Sequence, residues 1–369
     1  MNQKNSTEFY EVFPIFRPFL IKKDVGAIPE YLNRIGYKTF ILTKTPVIVN
    51  NFKTKILKLN VLNIHKYLKK ETGRKKILFL YFFTLSTKRL FPLLFLRLYN
   101  PALKIIVKTD GVLHGTLKKD DCALKRIGKR IRAFLFFLCV KLDLIIVENP
   151  WYKEQILRVS NKLKGRVQVL PNGADENNYY LARQNREFKS VICVGNITFS
   201  KGCDDVLAAF ESIREKYPKW KLIFVGQVYD DFKEILAEYQ SKIGSQLEVR
   251  GYLEGQQLYQ EFVNASIYVL CSKKESWNLA LVEAMASKNA VITSLCGSAE
   301  YITDHGAAGY IYEQGNQKQL SGILDKLMGN TELRRERQEA AAGRFDKYFK
   351  WSRIVDDLDL MIKTLYNQK

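Results

Sequence analysis

A chain of 369 residues, 47% hydrophobic and 12% aromatic, can bury a sizeable core and has the length of two ordinary domains, which excludes a disordered polymer. Its six cysteines, Cys122, Cys139, Cys193, Cys203, Cys271 and Cys296, include no CxxC pair, so they argue for reduced thiols in a cytosol and against a disulfide framework. Residues 1–180 hold 34 Lys and Arg against 13 Asp and Glu, and the remainder holds 25 of each, so the first half carries the whole net charge of +21. That asymmetry predicts a polyanionic partner, either nucleic acid or an anionic membrane surface.

Met1 to Glu11 is polar and has no apolar core before a small-residue cleavage site, so no secretory leader is expected. Short β-branched runs then alternate with helical patterns, the signature of βα units and parallel sheets. In the first block Lys38 to Leu42, Lys104 to Lys108, Asp143 to Val147 and Val167 to Leu170 read as strands, and Gly26 to Ile35 and Trp151 to Val159 as helices. The longest apolar runs, Ile77 to Leu85 and Ala133 to Val140, stop at Lys88 and Lys141, well short of the roughly 18 to 20 residues a spanning helix needs. Lys75 to Leu98 mixes Phe82, Phe83, Phe91, Leu94, Phe95 and Leu96 with Lys88, Arg89 and Arg97. Leu124 to Leu138 sets Ile127, Ile131, Phe134 and Leu138 at helical spacing among Lys125, Arg126, Lys129, Arg130 and Arg132. Both have the make-up of segments that lie on an anionic bilayer, although core-facing helices with solvated charges fit them too.

The second block is cleaner. Ser190 to Val194, Lys221 to Val225, Gln246 to Arg250, Ile267 to Leu270, Ala290 to Ser294 and Gly309 to Tyr312 read as strands, with helices starting at Asp204, Asp230, Gln256, Leu279 and Gln317. The polar stretch Asn177 to Phe188 separates the blocks, predicting domains at 1–180 and 181–350 and a last helix at 351–369 that can return to the first domain. The expected architecture is α/β, with two doubly wound domains whose ligands sit outside the strands' carboxyl ends in an interdomain cleft.

Chemistry concentrates in Val269 to Ala286. A strand ends near Leu270, Glu275 lies in the following turn, and Asn278 is a good N-cap for a helix beginning at Leu279. The first amides of that helix, Leu279 and Ala280, would then offer an anion site at the positive end of the dipole. Glu275 and Glu283 bracket that site, which suits a ligand with phosphate at its centre and hydroxyls at both ends. A nucleoside diphosphate sugar has that layout.

Glu275-x7-Glu283 followed by Ala-Met-Ala resembles the E-x7-E signature of glycosyltransferase family 4, whose members are retaining GT-B enzymes with two facing Rossmann-like domains. Five flanking features resemble the family in order: Pro171-Asn172-Gly173-Ala174-Asp175; Val194-Gly195 with Lys201-Gly202; Val225-Gly226; Arg250-Gly251-Tyr252; and Cys296-Gly297-Ser298-Ala299-Glu300. Together they cover about half the chain, from Asp143 to Leu324. The resemblance implies a UDP- or GDP-sugar donor, with Lys201 on the diphosphate, Glu283 on the ribose, Glu275 on the transferred sugar, and Gly195, Gly226, Arg250 and Tyr252 around the nucleotide. Lys201 and the helix amides would stabilise the departing diphosphate, so no metal and no further cofactor is expected. Two positions depart from the pattern. Asn196 stands where the family has Arg, which halves the cationic clamp unless Lys108 or Lys23 compensates, and Asn278 replaces the glycine before the helix.

In the first domain, Lys22 to Pro29 resembles the family's glycine loop, with Gly26 closing against the diphosphate. Asp110 and His114 follow the strand Lys104 to Lys108 and are the candidates for meeting the sugar or acceptor hydroxyl. The resulting expectation is a retaining hexosyltransferase acting by front-face transfer. It would be cytoplasmic and peripheral at the inner face of the plasma membrane, with a glycan or lipid-linked acceptor in cell-envelope or exopolysaccharide assembly. Two alternatives remain. A nucleic-acid-binding protein is disfavoured because no recognisable nucleic-acid module is present, and an inert GT-B partner subunit is suggested by Asn196 but opposed by intact Lys201, Glu275 and Glu283.

Overall fold

A computed structural model describes residues 7–59, 64–69, 74–81, 100–109, 142–159, 161–179 and 188–367. They fall into two compact units, one running to Asn172 and resuming at Trp351, the other Gly173–Lys350.

The first unit contains β1 (Thr7–Val12), α1 (Asp24–Arg34), β2 (Lys38–Thr43), β3 (Lys55–Lys58), α2 (Ile64–Leu68), β4 (Lys75–Tyr81), β5 (Lys104–Thr109), β6 (Leu144–Val147), α3 (Pro150–Val159) and β7 (Val167–Val169). The strands form one parallel sheet in the order β3-β2-β1-β4-β5-β6-β7. The order reverses between β1 and β4, the kind of switch point at which such sheets bind ligands. β4 corrects the membrane-lying reading of Lys75 to Leu98 over its first seven residues. Ile77, Leu78, Phe79, Leu80 and Tyr81 are all buried in an inner strand, and a parallel strand covered on both faces reads as an unbroken apolar run. Residues 82–99 and Leu124 to Leu138 lie outside the described residues.

The second unit contains α4 (Glu176–Tyr179), β8 (Ser190–Val194), α5 (Cys203–Glu211), β9 (Lys221–Val225), α6 (Lys233–Ile243), β10 (Leu247–Val249), α7 (Gly255–Val263), β11 (Ile267–Leu270), α8 (Leu279–Ala286), β12 (Ala290–Ser294), α9 (Ala299–Ile302), β13 (Tyr310–Tyr312), α10 (Gln317–Gly329) and α11 (Thr331–Tyr348). Its parallel sheet runs β10-β9-β8-β11-β12-β13, with the reversal between β8 and β11. Two apolar layers sandwich this sheet. Val206, Leu207, Phe210, Leu324 and Leu327 pack on one face, and Leu281, Val282, Met285, Phe345 and Phe349 on the other. α6 begins at Lys233 because a 3-10 turn takes up Asp230–Phe232.

The last helix, α12 (Trp351–Asn367), belongs to the first unit. Trp351, Ile354, Val355, Leu358 and Ile362 join that unit's core. Tyr37 donates a 2.7 Å hydrogen bond to Asp359, and the Tyr366 hydroxyl donates to the Lys76 carbonyl at 2.9 Å. No helix among the described residues is long and apolar enough to cross a membrane.

Candidate functional site

The switch point of the second unit is walled by two loops, one leaving β8 and one leaving β11. On the β8 side Thr198 caps a 3-10 turn, Phe199–Lys201, its hydroxyl accepting from the Lys201 amide at 3.2 Å. That turn aims the Lys201 ammonium across the switch point, where it pairs with Oε1 of Glu275. The same oxygen accepts from Ser272 Oγ at 2.8 Å and Asn278 Nδ2 at 3.4 Å. All three bonds converge on Oε1. The Lys201 side chain is about one-third exposed, and an ammonium has three protons to give.

Asn278 has a second task. Its Oδ1 accepts from the Leu281 amide at 2.8 Å, which makes it the N-cap of α8. The amides of Leu279 and Ala280 precede any carbonyl four residues back within the helix, so they face out with the positive end of its dipole. Glu283 lies about one turn farther along α8 and is half-buried. It faces Tyr259, whose phenol is held above its ordinary range first by burial and then by the charges of Glu283 and Asp175, so Tyr259 stays a neutral hydrogen-bonding group.

Close backbone approach shapes the floor. Gly226 has φ +151°, and a Cβ there would lie 1.9 Å from the Gly195 carbonyl oxygen, so the turns after β8 and β9 touch only because that atom is missing. The Gly226 amide donates to the Gly251 carbonyl at 2.8 Å, which sets the Arg250–Tyr252 turn alongside. Gly297 (φ +54°) brings the turn after β12 against Glu275, where a Cβ would meet the Glu275 carbonyl oxygen at 2.4 Å. A narrow cavity of about 30 Å³ is lined in part by Gly195, Asn196, Lys201, Ser272 and Asn278. A wider pocket of about 440 Å³ opens beside Asn196, Lys201 and Tyr229. Below the floor Cys193, Cys203 and Cys271 are buried free thiols, and Cys296 is half-buried. The Cys203 thiol is kept neutral by its hydrogen bond to Cys271 and by burial.

The structure therefore gathers Gly195, Asn196, Lys201, Gly226, Glu275, Asn278, Leu279, Ala280 and Glu283 at the strand ends of one unit. Arg250 and Tyr252 stand at the far side of that edge. Arg250 is half-exposed and paired with Glu248 and Glu261, and the exposed Tyr252 donates to Glu254. Asn196 is exposed and donates to the Tyr229 hydroxyl at 3.3 Å.

Three expectations in the first unit fare differently. Gly26 lies inside the first turn of α1 rather than in a loop, and a Cβ there would meet Ile21 Cα at 2.3 Å. Its missing side chain is explained by that packing. Lys108 is no spare cation, because it is buried and bonded to both Asp24 and Asn172, and Asn172 in turn donates to Glu148 at 2.6 Å. Asp110, His114, Cys122 and Cys139 lie outside the described residues. Sequence reasoning missed Thr198, Ser272 and Tyr259. A serine three residues before Glu275 was a usable hint, whereas Tyr259 gave no local signal.

Residues 182–344 match the family model described as Glycosyl transferases group 1. The chain is 25% identical over 240 residues to an uncharacterized glycosyltransferase of Methanocaldococcus jannaschii, a match covering 65% of each chain and so just under two-thirds of that relative's length. It is 24% identical over 288 residues to the lipopolysaccharide 1,2-N-acetylglucosaminetransferase of Salmonella typhimurium, covering 73% of this chain and 69% of that one. The crystal structure of Anabaena HepE with UDP and glucose superposes with a TM-score of 0.71 at 12% identity, over 97% of this chain and 99% of that one. The fold is GT-B, and the second unit of this chain is a glycosyltransferase domain.

Proposed function

We propose that the chain moves a hexose-type sugar from a UDP- or GDP-sugar to a glycan acceptor, with retention at the anomeric carbon and without a divalent metal. The observation that carries this reading is the convergence of Lys201, Glu275 and the Leu279 and Ala280 amides on the switch point of the second unit. The diphosphate lies over those amides beside Lys201, the ribose hydroxyls meet Glu283, and the transferred sugar meets Glu275 Oε2. As the glycosidic bond breaks, negative charge grows on the departing phosphate, where Lys201 and the dipole of α8 already point. Fixed positive charge thereby does the work a metal would do, so the reaction should proceed in excess chelator. HepE's UDP and glucose support a nucleotide-sugar donor.

The acceptor is a lipid-linked sugar in envelope or exopolysaccharide assembly. The basic first half supports this, as does the lipopolysaccharide-building relative, and the chain works at the inner face of the plasma membrane. Asp110 and His114 are the candidates for holding the acceptor hydroxyl. NMR of the product tests the stereochemistry: retained configuration is expected, and inversion at the anomeric carbon would refute front-face transfer.

A further inference from the structure

Two loops leave the carboxyl ends of β1 and β2 in the first unit, and they are stitched together. The Phe13 amide donates to the Leu42 carbonyl at 3.0 Å, the Lys44 amide to the Pro14 carbonyl at 3.1 Å, and the Phe16 amide to Thr43 Oγ1 at 3.1 Å. Phe16 is buried and stacks on Phe52, with ring centroids 6.3 Å apart. Val47, Val49 and Phe52 pack against the same core. Anchoring these neighbours turns the residues between them outward, leaving Ile15 54% and Ile48 97% exposed.

A single exposed isoleucine is ordinary. Here two crown adjoining loops whose exposed charges are all of one sign. Arg17, Lys22, Lys23, Lys44 and Lys53 are exposed, whereas Glu8, Glu11 and Glu30 are buried and Asp24 is paired with Lys108. Because the sheet is parallel, this rim lies at the same strand-end edge as the end of β5 at Thr109.

We propose that the paired loops 13–17 and 44–53 are the membrane-docking surface, with Ile15 and Ile48 entering the headgroup boundary of an anionic bilayer while Arg17, Lys44 and Lys53 meet its phosphates. Aliphatic side chains without an exposed stacking platform suit lipid rather than nucleic acid, and the charge complements an anionic leaflet. Docking here holds the acceptor-handling edge of the sheet at the bilayer surface. The inference rests on the membrane reading above and assigns it to particular residues.

Vesicle flotation of the full chain at physiological salt tests it, using phosphatidylcholine alone and phosphatidylcholine mixed with phosphatidylglycerol. Wild type should float with the mixed vesicles only. The I15E/I48E variant should lose roughly ten-fold or more in partition, and R17Q/K44Q/K53Q roughly five-fold per charge, with the salt dependence reduced. Both variants should keep the wild-type thermal shift with UDP or GDP, which shows them folded. If I15E/I48E floats like wild type, this surface is wrong although the membrane reading stands. If wild type floats with neither vesicle, both fall.

Discussion

The Lys201 ammonium and the Glu275 carboxylate, 74 residues apart in sequence, are bonded across the reversal in strand order between β8 and β11. The pair sets the two loops to one another and holds the cation where the α8 amides converge. Under the proposed function an incoming diphosphate shares that ammonium with Glu275. Removing the carboxylate charge should therefore help the leaving group bind and harm the reaction. For E275Q we expect UDP or GDP to bind roughly five-fold tighter and turnover to fall by roughly a hundred-fold or more. Titration calorimetry and steady-state rates check both, and weaker diphosphate binding would show that Glu275 does not compete for Lys201.

Asn278 separates helix capping from charge. N278A should cost about 1 kcal/mol of stability, because the Leu281 amide loses its acceptor. N278D keeps the cap on Leu281 but loses the Nδ2 donor to Glu275 and sets a second carboxylate beside the anion site, so its diphosphate affinity should fall about ten-fold, further than that of N278A. Equal behaviour of the two variants in both assays would contradict this division.

Asn196 is exposed and makes a 3.3 Å bond to Tyr229, so a longer basic side chain can be placed there without disturbing the core. N196R should add a second cation near Lys201 and tighten UDP or GDP binding about ten-fold, the worth of one charge-assisted hydrogen bond. Unchanged affinity would mean that the side chain at 196 does not reach the phosphates.

In the first unit Glu11 is fully buried, and burial, followed by the charge of Asp24, raises its carboxyl pKa well above the ordinary value, with Lys108 opposing. The folded state keeps this proton when the unfolded chain has lost it. Glu11 therefore contributes full stability below the unfolded value of 4.5, and stability drains away as pH rises towards the folded value. E11Q cannot ionise. Its Tm should exceed that of wild type near neutral pH and match it below the ordinary carboxylate range, and a pH-independent difference would contradict the assignment.

Much of the second unit was legible because its strands are short β-branched runs between turn residues, and because Asn278 before an apolar helix is a local capping signal. The Lys201–Glu275 pair was not, since nothing local couples positions so far apart. The first unit hid more. β1 carries Thr7, Glu8 and Glu11 as buried polar residues, so an inner strand read as a polar opening. β4 is apolar on both faces and read as a lipid-facing segment. α11 escaped notice because its buried residues, Arg334, Ala341, Ala342 and Phe345, form too sparse and polar a stripe to give a helical period.

The central claim is that Lys201 and the start of α8 hold the diphosphate of an activated sugar. Thermal denaturation of wild type and K201A with UDP, GDP, ADP and their sugars tests it most directly, because a ligand that binds only the folded state raises Tm. One nucleotide series should raise the wild-type Tm saturably and leave K201A almost unmoved. Indifference of wild type to every nucleotide, or an equal shift in K201A, would contradict the account.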